Sequence, residues 1–179
     1  MAIIATDILY KLSTTSGSAG NTLTGTPGSS LGKYISTTQV VDATLSNLFL
    51  TITGDQNAAG QVDYQCVFVH NAHATLTLLA PYLWIYSETA GGASVALALD
   101  STAASAIGSA SAQALTIATS LTAPSGPTFS TPVTKGAGIA MGDIPAGYCK
   151  AFWVRRTAAN TGAVDVDGAL IRVEGDTTA

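Results

Sequence analysis

The sequence predicts an all-β protein: a β-sandwich or jelly-roll-like domain over residues 1–179, with an extended Ser/Thr/Gly-rich arm or loop near its start. Three observations predict this class. About eight short segments alternate apolar with other residues at a period of two, which is typical of half-buried strands. Clusters of Gly, Pro, Asn and Asp separate these segments, and no convincing long helical pattern lies between them. Short strands between frequent turns are typical of sandwiches and jelly rolls.

The first third of the chain is predicted to contain a long polar segment between strands. Alternation at the end of segment 1–12 predicts a short first strand. Residues 13–33 are mostly small and polar, so they have little to bury and predict a flexible arm or a long loop. The next strands are predicted at 48–53 and 62–70, because GDQNAAGQ between them supplies turn-forming Gly, Asp and Asn.

The remainder of the chain is predicted to be further strands joined by turns. Pro81 cannot donate to a strand ladder, so it predicts a break between two of them. The Ala/Ser-rich stretch 101–121 fits a helix, a loop or a short strand. DVDGA, which begins at Asp165, lacks the later ligands of a calcium loop and predicts a hairpin turn. Strands are predicted at 75–79, 82–86, 95–99, 148–156 and 169–174.

Composition argues against several classes of function. Charged residues are only 10% of the chain, against about 25% in an average globular protein. The polar surface must therefore be mostly Ser, Thr, Gly and Asn, which indicates that partners cover much of it. Seven Lys and Arg are scattered along the chain against eleven Asp and Glu, for a net charge of −4. Since nucleic-acid binding needs a basic stripe that displaces counterions, we expect no nucleic-acid partner.

The sequence also predicts a protein made in a cytoplasm. Its apolar runs are shorter than the roughly 18 residues that cross a bilayer, so no membrane association is expected. The opening MAIIATDILYK lacks the basic region of a signal peptide. Cys66 and Cys149 are then expected to be buried thiols rather than a disulfide.

The motifs that carry chemistry are incomplete. His70 and His73 form an HNAH spacing, but no nearby Cys or Glu completes a zinc site. The stretch PGSSLGKY at 27–34 has a proline at the first glycine of a phosphate loop, and Tyr34 follows its lysine where Ser or Thr is required. No GxSxG nucleophile elbow, the sharp strand-to-helix turn of α/β-hydrolases, is predicted. We therefore expect a protein that is not an enzyme and has neither metal nor cofactor.

The stretch DIPAGYCKAFWVRR at 143–156 combines a thiol, aromatic residues and cations. A period of two places Cys149 beside Trp153 on one strand face, which predicts a packing role rather than a reactive thiolate. Arg155 and Arg156 lie at the end of this strand, where they can stay solvated or meet an acidic partner. The predicted partner contacts are Lys33, Tyr34, Arg155 and Arg156.

A second candidate surface is aromatic. Tyr82, Trp84 and Tyr86 share one face of a predicted strand, and such a row of rings can stack on sugars. The alternative is that this face is buried. Because Leu83 and Ile85 make the opposite face apolar too, burial on both sides is the simpler interpretation.

Three segments resemble a group of small tailed-bacteriophage virion proteins. In these proteins a Cys-bearing strand, a PAG turn, a WVRRT strand and a terminal GDT recur in a similar sequence. The resemblance implies a β-sandwich structural subunit, most simply a capsid decoration (cement) protein on the outer surface of the virion. The segments are DYQCVFVHNAHATLTL (63–78), DIPAGYCKAFWVRRT (143–157) and LIRVEGDT (170–177).

The resemblance also implies partners. A cement protein binds the major capsid protein and associates with its own copies, as a trimer or dimer. The alternative function is a tail or head-fibre adhesin that binds a receptor or glycan. In that case Tyr82, Trp84 and Tyr86 would form the platform.

Overall fold

The computed structural model describes residues 2–162, 164 and 166–177. Short 3₁₀ turns span Ala5–Asp7 and Lys135–Ala137, and one short helix, α1, spans Gly54–Ala58. The strands in this part of the chain are β1 (Ile8–Thr14), β2 (Tyr34–Gln39), β3 (Val62–Asn71), β4 (Leu78–Glu88), β5 (Ser94–Leu99), β6 (Ser105–Ala106), β7 (Ile139–Ala140), β8 (Tyr148–Thr157) and β9 (Ala169–Thr177).

The strands form two antiparallel sheets, so the all-β prediction is confirmed. The larger sheet has the order β2-β1-β3-β8-β5, and β6 pairs with β8. The smaller sheet has the order β7-β4-β9. The strands predicted at 62–70, 95–99 and 148–156 lie within β3, β5 and β8. The last predicted strand lies within β9, and Asp165 of the predicted turn before it lies outside the described residues.

The larger sheet is buried on both faces. Its inner face packs against the smaller sheet, and burial of each large apolar side chain there contributes about 1.5–3 kcal/mol. Its outer face carries a second apolar cluster, the outer core. The core between the sheets is formed by Leu12, Leu48, Val67, Val69, Leu78, Leu83, Ile85, Val95, Leu97, Met141, Ile144, Phe152 and Val154. The outer core is formed by Ile35, Cys66, Phe68, Ala98, Ala114, Ile117, Cys149, Ala151 and Trp153.

The outer core is covered by the chain's own connections. Residues 13 and 14 belong to β1, and the rest of segment 13–33 is a long loop that lies back on the domain. The amide of Gly20 donates to the carbonyl oxygen of Ser109, and the amide of Lys33 donates to that of Leu115. Leu31 and Leu115 both pack against the outer core. The backbone of this segment is therefore buried against the domain, although the segment has few apolar side chains.

Ser30 shows how a small polar residue fits this layer. The pairing of β1 with β3 runs only to Leu12, and beyond it Ser30 takes the place of a neighbouring strand. The amide of Cys66 donates to the carbonyl oxygen of Ser30 at 2.6 Å, and the Ser30 hydroxyl donates back to the carbonyl oxygen of Cys66. The amide of Ser30 donates to Oε1 of Gln65 at 2.8 Å. Every polar group of this buried serine thus has a partner, as burial requires.

The strand predicted at 48–53 is wrong, and β2 was not predicted. Residues 48–53 form an irregular connection, because side-chain contacts rather than a neighbouring strand hold this segment. The guanidinium of Arg156 lies 4.7 Å from the ring centroid of Phe49 and donates to the carbonyl oxygen of Leu50. Thr53 then accepts a hydrogen bond from the amide of Gln56 and caps α1, where the sequence indicated only a turn.

The predicted break at Pro81 is also wrong. Pro81 lies inside β4, at a bulge where the register to β9 shifts between Leu79 and Tyr82. Proline is tolerated at bulges because the ladder there is already interrupted. Its carbonyl oxygen still accepts the amide of Met141. The stretch 101–121, for which helix, loop and strand were open, contains the two-residue strand β6 and is otherwise loop.

Replacement of Gly20 by alanine tests the packing of the long loop. A Cβ at Gly20 would lie well inside van der Waals contact of Oε1 of Gln113 and the carbonyl oxygen of Ile107. We expect Gly20→Ala to lower the free energy of unfolding by about 1–3 kcal/mol, as overpacking does. Gly108→Ala is the matched control, because its Cβ would meet open space. Equal stability of the two variants in urea unfolding would contradict a docked loop.

Candidate functional site

The outer face of the smaller sheet is the sheet face that the described loops cover least. Tyr82, Trp84 and Tyr86 lie on this face of β4, and Leu83 and Ile85 point the other way, into the core between the sheets. In the register with β9, Tyr82 is opposite Glu174 and Trp84 is opposite Arg172. The three predicted aromatic residues are therefore brought together, on the surface that faces away from the core.

The three rings are unequally exposed. Trp84 is only 5% exposed and Tyr82 is half-buried, whereas Tyr86 is 53% exposed. The guanidinium of Arg172 lies 3.5 Å from the ring centroid of Tyr86, a cation–π contact that occupies one face of the ring. The aromatic row therefore offers one exposed ring rather than a three-ring platform.

The charged residues beside these rings were not predicted from the sequence to be site residues. Nζ of Lys135 lies 2.9 Å from Oε1 of Glu174, and both side chains are exposed. Strand alternation alone would have placed Arg172 and Glu174 on one face of β9, because they are two residues apart. The face thus combines an exposed phenol with charges of both signs.

The predicted partner contacts are scattered, and several already have partners inside the domain. Nη2 of Arg156 lies 2.6 Å from Oδ2 of Asp63 in a largely buried ion pair, and the guanidinium of Arg155 lies 5.4 Å from the ring centroid of Phe129. Tyr34 is buried and its hydroxyl donates to the carbonyl oxygen of Ala110. Nζ of Lys33 lies over the ring of Tyr34. Lys33 and the two arginines are at different parts of the larger sheet.

The two cysteines are free and buried, as the sequence predicted. Cys66 is opposite Trp153 and Cys149 is opposite His70, so the two cysteines lie four residue positions apart along the paired strands, about 13 Å of strand length. Burial raises the pKa of Cys149 to about 12 and raises that of Cys66 well above its usual value. Neither thiol is a nucleophile at neutral pH, because both are protonated.

Buried lysines lie at the same end of β1 and β8, the two strands on either side of β3. Nζ of Lys11 donates to Oδ1 of Asn21 at 2.8 Å, and Nζ of Lys150 donates to the carbonyl oxygens of Asp100 and Thr102. Burial lowers the pKa of both lysines. Oxygen acceptors on each ammonium offset the cost of desolvating the charge.

Asp100 and Gln113 are structural residues that the sequence did not reveal. Oδ2 of the buried Asp100 accepts from Nε1 of Trp153 at 2.8 Å and from the amide of Leu115 at 3.0 Å. Oε1 of Gln113 accepts the amide of Ile35, and its Nε2 donates to the carbonyl oxygen of Ala106. Both side chains join the covering loops to the larger sheet. An Asp immediately after a strand and a Gln in an Ala/Ser-rich run carry no pattern that indicates these roles.

A groove of about 1190 Å³ opens at one end of the two sheets. It lies between the connection at 42–54 and the start of β9, and it reaches the core at Val95 and Val154. Leu45 and Leu50 are exposed beside it. The lining of this second surface mixes apolar with polar residues and includes Asp42, Arg156 and Asp167.

The histidines and acidic residues do not form a metal-ligand cluster among the described residues: no three His, Cys, Asp or Glu residues are grouped there as metal ligands. Nδ1 of His73 instead accepts the amides of Thr75 and Leu76. Over the same described residues, no helix is long and apolar enough to cross a bilayer.

Comparison with known proteins adds no relative. No family model, curated protein or solved structure matches the chain. A partly covered sheet face with one exposed ring and charges of both signs is a candidate surface for contact with another macromolecule.

The acid sensitivity of the fold is expected to depend on His70. This side chain is buried, its Nδ1 has no hydrogen-bond partner among the described residues, and burial together with Lys11 lowers its pKa from 6.5 to about 4. Well above pH 6.5 the histidine is neutral in both states. As the pH falls from 6.5 toward 4, only the unfolded chain gains the proton, so stability is lost, by about 2–3 kcal/mol in total.

Urea unfolding of the wild type and His70→Gln at a series of pH values between 4 and 7 measures this effect. The variant should lose less stability than the wild type over that window, because the carboxylates titrate alike in both proteins. Parallel pH dependence of the two proteins would show that His70 is not the group responsible.

Proposed function

We propose that the protein is a structural subunit of a bacteriophage virion, most simply a capsid decoration (cement) protein. It is made in the host cytoplasm, binds the major capsid protein at the outer surface of the shell, and stabilises that shell together with further copies of itself. A sandwich of jelly-roll type is the architecture that this proposal implies. The function would be carried by surfaces, without catalysis.

The observation that carries the proposal is where the resembling segments lie. Segment 63–78 includes most of β3, and segment 143–157 includes all of β8; these are the paired central strands of the larger sheet. Segment 170–177 is most of β9, which is exposed at the edge of the smaller sheet. The resemblance thus includes both a core element and a surface element.

Composition supports the same proposal. Few charges and exposed apolar residues such as Leu45, Leu121 and Val133 make a surface that is weakly solvated. A shell offers many identical sites, so a modest interface in each subunit can still give firm attachment. We assign these contacts to the smaller sheet, which includes β9.

Removal of the protein from purified particles tests the proposal. We expect particles that have been stripped of it to rupture at a lower temperature than intact ones, and to recover when the purified protein is added back. A density map of the virion should show copies on the head shell. Particles that lack any copy there would overturn the assignment to the capsid.

A glycan-binding adhesin of the tail or head fibre is the second candidate function. The exposed ring of Tyr86 favours it, whereas the burial of Trp84 leaves little of the row available for stacking. If this function is correct, Tyr86→Ala should weaken retention on a glycan array about two- to tenfold, since an aromatic stacking contact contributes about 0.5–1.5 kcal/mol. Tyr148→Ala is the control, because Tyr148 is also exposed but lies on β8. Absence of retention by the wild type would exclude the adhesin.

A further inference from the structure

Strand β9 is a regular edge strand. It spans Ala169–Thr177 and pairs with β4 on one side. The register shifts between Leu79 and Tyr82 and between Ile85 and Ser87 each add a residue to β4, so β9 itself has no bulge. A long strand without bulges or proline is the kind of edge that accepts another strand.

The hydrogen bonds of β4 show to which side of β9 the backbone groups of each β9 residue point. The carbonyl oxygen of Pro81 and the amide of Ile85 bond on the side of β4 away from β9, to Met141 and Pro132. The backbone groups of successive residues in a strand point to opposite sides. The backbone groups of Tyr82 and Trp84 therefore point toward β9, and those of their partners Glu174 and Arg172 point toward β4. The backbone groups of the intervening residues, Ile171, Val173 and Gly175, therefore point to the outer edge.

The outer edges of β2 and β5 in the larger sheet are covered by the protein's own chain. Asn21 and Leu23 bond to the outer edge of β2, where the amide of Asn21 donates to Ile35 and the amide of Thr37 donates to Leu23. Ser130 forms a bridge with Leu97 at the edge of β5. Within the described residues, the outer edge of β9 from 170 to 177 has no such backbone partner.

We propose that this edge pairs with β9 of a second copy, antiparallel and centred on Val173, so that the two small sheets become one continuous sheet. The charges favour this register. A two-fold axis at Val173 places Arg172 of each copy opposite Glu174 of the other, on the outer face, and the pair occurs twice. Registers centred on Arg172 or Glu174 would instead place like charges opposite each other, which destabilises a sheet.

The side chain of Tyr10 has to move when the strands pair. The hydroxyl of Tyr10, which packs against the core between the sheets, approaches the backbone amide of Val173. Its burial raises the pKa of Tyr10 to about 12, so it is a neutral group at this edge. Strand pairing replaces its contact with Val173 by the bonds of a complete ladder.

The inference deepens the proposed function, because it names the surface through which copies associate, and it rests on that function only for its biological setting. Self-association belongs to the purified protein, whereas attachment to a shell requires particles. A protein that is monomeric but still binds stripped particles would overturn the pairing alone. A dimer that ignores particles would overturn the virion role alone.

Charge reversal on β9 tests the pairing. Sedimentation equilibrium of the wild type should show a monomer–dimer equilibrium. Arg172→Glu and Glu174→Arg should each weaken it about tenfold or more, because each replaces two attractive pairs by two repulsive ones. The double variant R172E/E174R should restore dimers, since it exchanges the charges and keeps them complementary. Asp55→Arg, with the same change in net charge as Glu174→Arg but on the exposed surface of α1, should dimerise like the wild type.

Hydrogen exchange locates the contact. In the dimer the amides of Ile171, Val173 and Gly175 should be protected, and in the single variants they should exchange faster. A wild type that stays monomeric at all concentrations overturns the proposal, and so does a dimer that the double variant fails to restore. Protection of these amides only after addition of shell protein would assign the edge to a strand of that partner and also overturn self-pairing.

Discussion

The structure depends on the pairing of β3 with β8, two strands that carry apolar side chains on both faces. Phe152 and Val67 point into the core between the sheets, while Trp153 and Phe68 point the other way. A single partner sheet can cover only one of these faces. The domain therefore needs a second covering layer, and the chain supplies it from its long connections rather than from another sheet.

The covering layer explains why so much of the chain is Ser, Thr, Gly and Ala. Backbone that lies directly on a sheet has to satisfy its own polar groups and has little room for side chains. Ser30 supplies a hydroxyl that bonds the neighbouring strand, and Gly20 leaves space for the side chain of Gln113. Asp100 then joins the layer to the sheet through Trp153. Small residues here serve burial, although their composition resembles that of an exposed linker.

Strands could be predicted from the sequence where their own residue pattern indicates how they pack. The prediction failed where contacts with residues distant in the sequence determine the local structure. β3, β5, β8 and β9 follow their alternation or apolar runs. β2 was missed because YISTTQ is short and half polar, and its place is set by β1 and by the loop at 21–25. Segment 48–53 alternates equally well, but it pairs with no strand, and Arg156 and the amide of Gly28 bind its carbonyl oxygens instead. The aromatic row was located correctly in sequence, yet the burial of Trp84 depends on neighbours that alternation cannot show.

The order of β3 and β8 along the chain has a consequence for the protein during its synthesis. β3 ends at Asn71 and β8 ends at Thr157, so the ribosome adds a further 86 residues before the pair is complete. At about 5–20 residues per second, β3 waits roughly 4–17 s with one long edge and its apolar faces uncovered. Contacts this distant in sequence also slow folding itself. During this interval the nascent chain exposes apolar surface and an unpaired strand edge, the two features that make folding intermediates prone to aggregate.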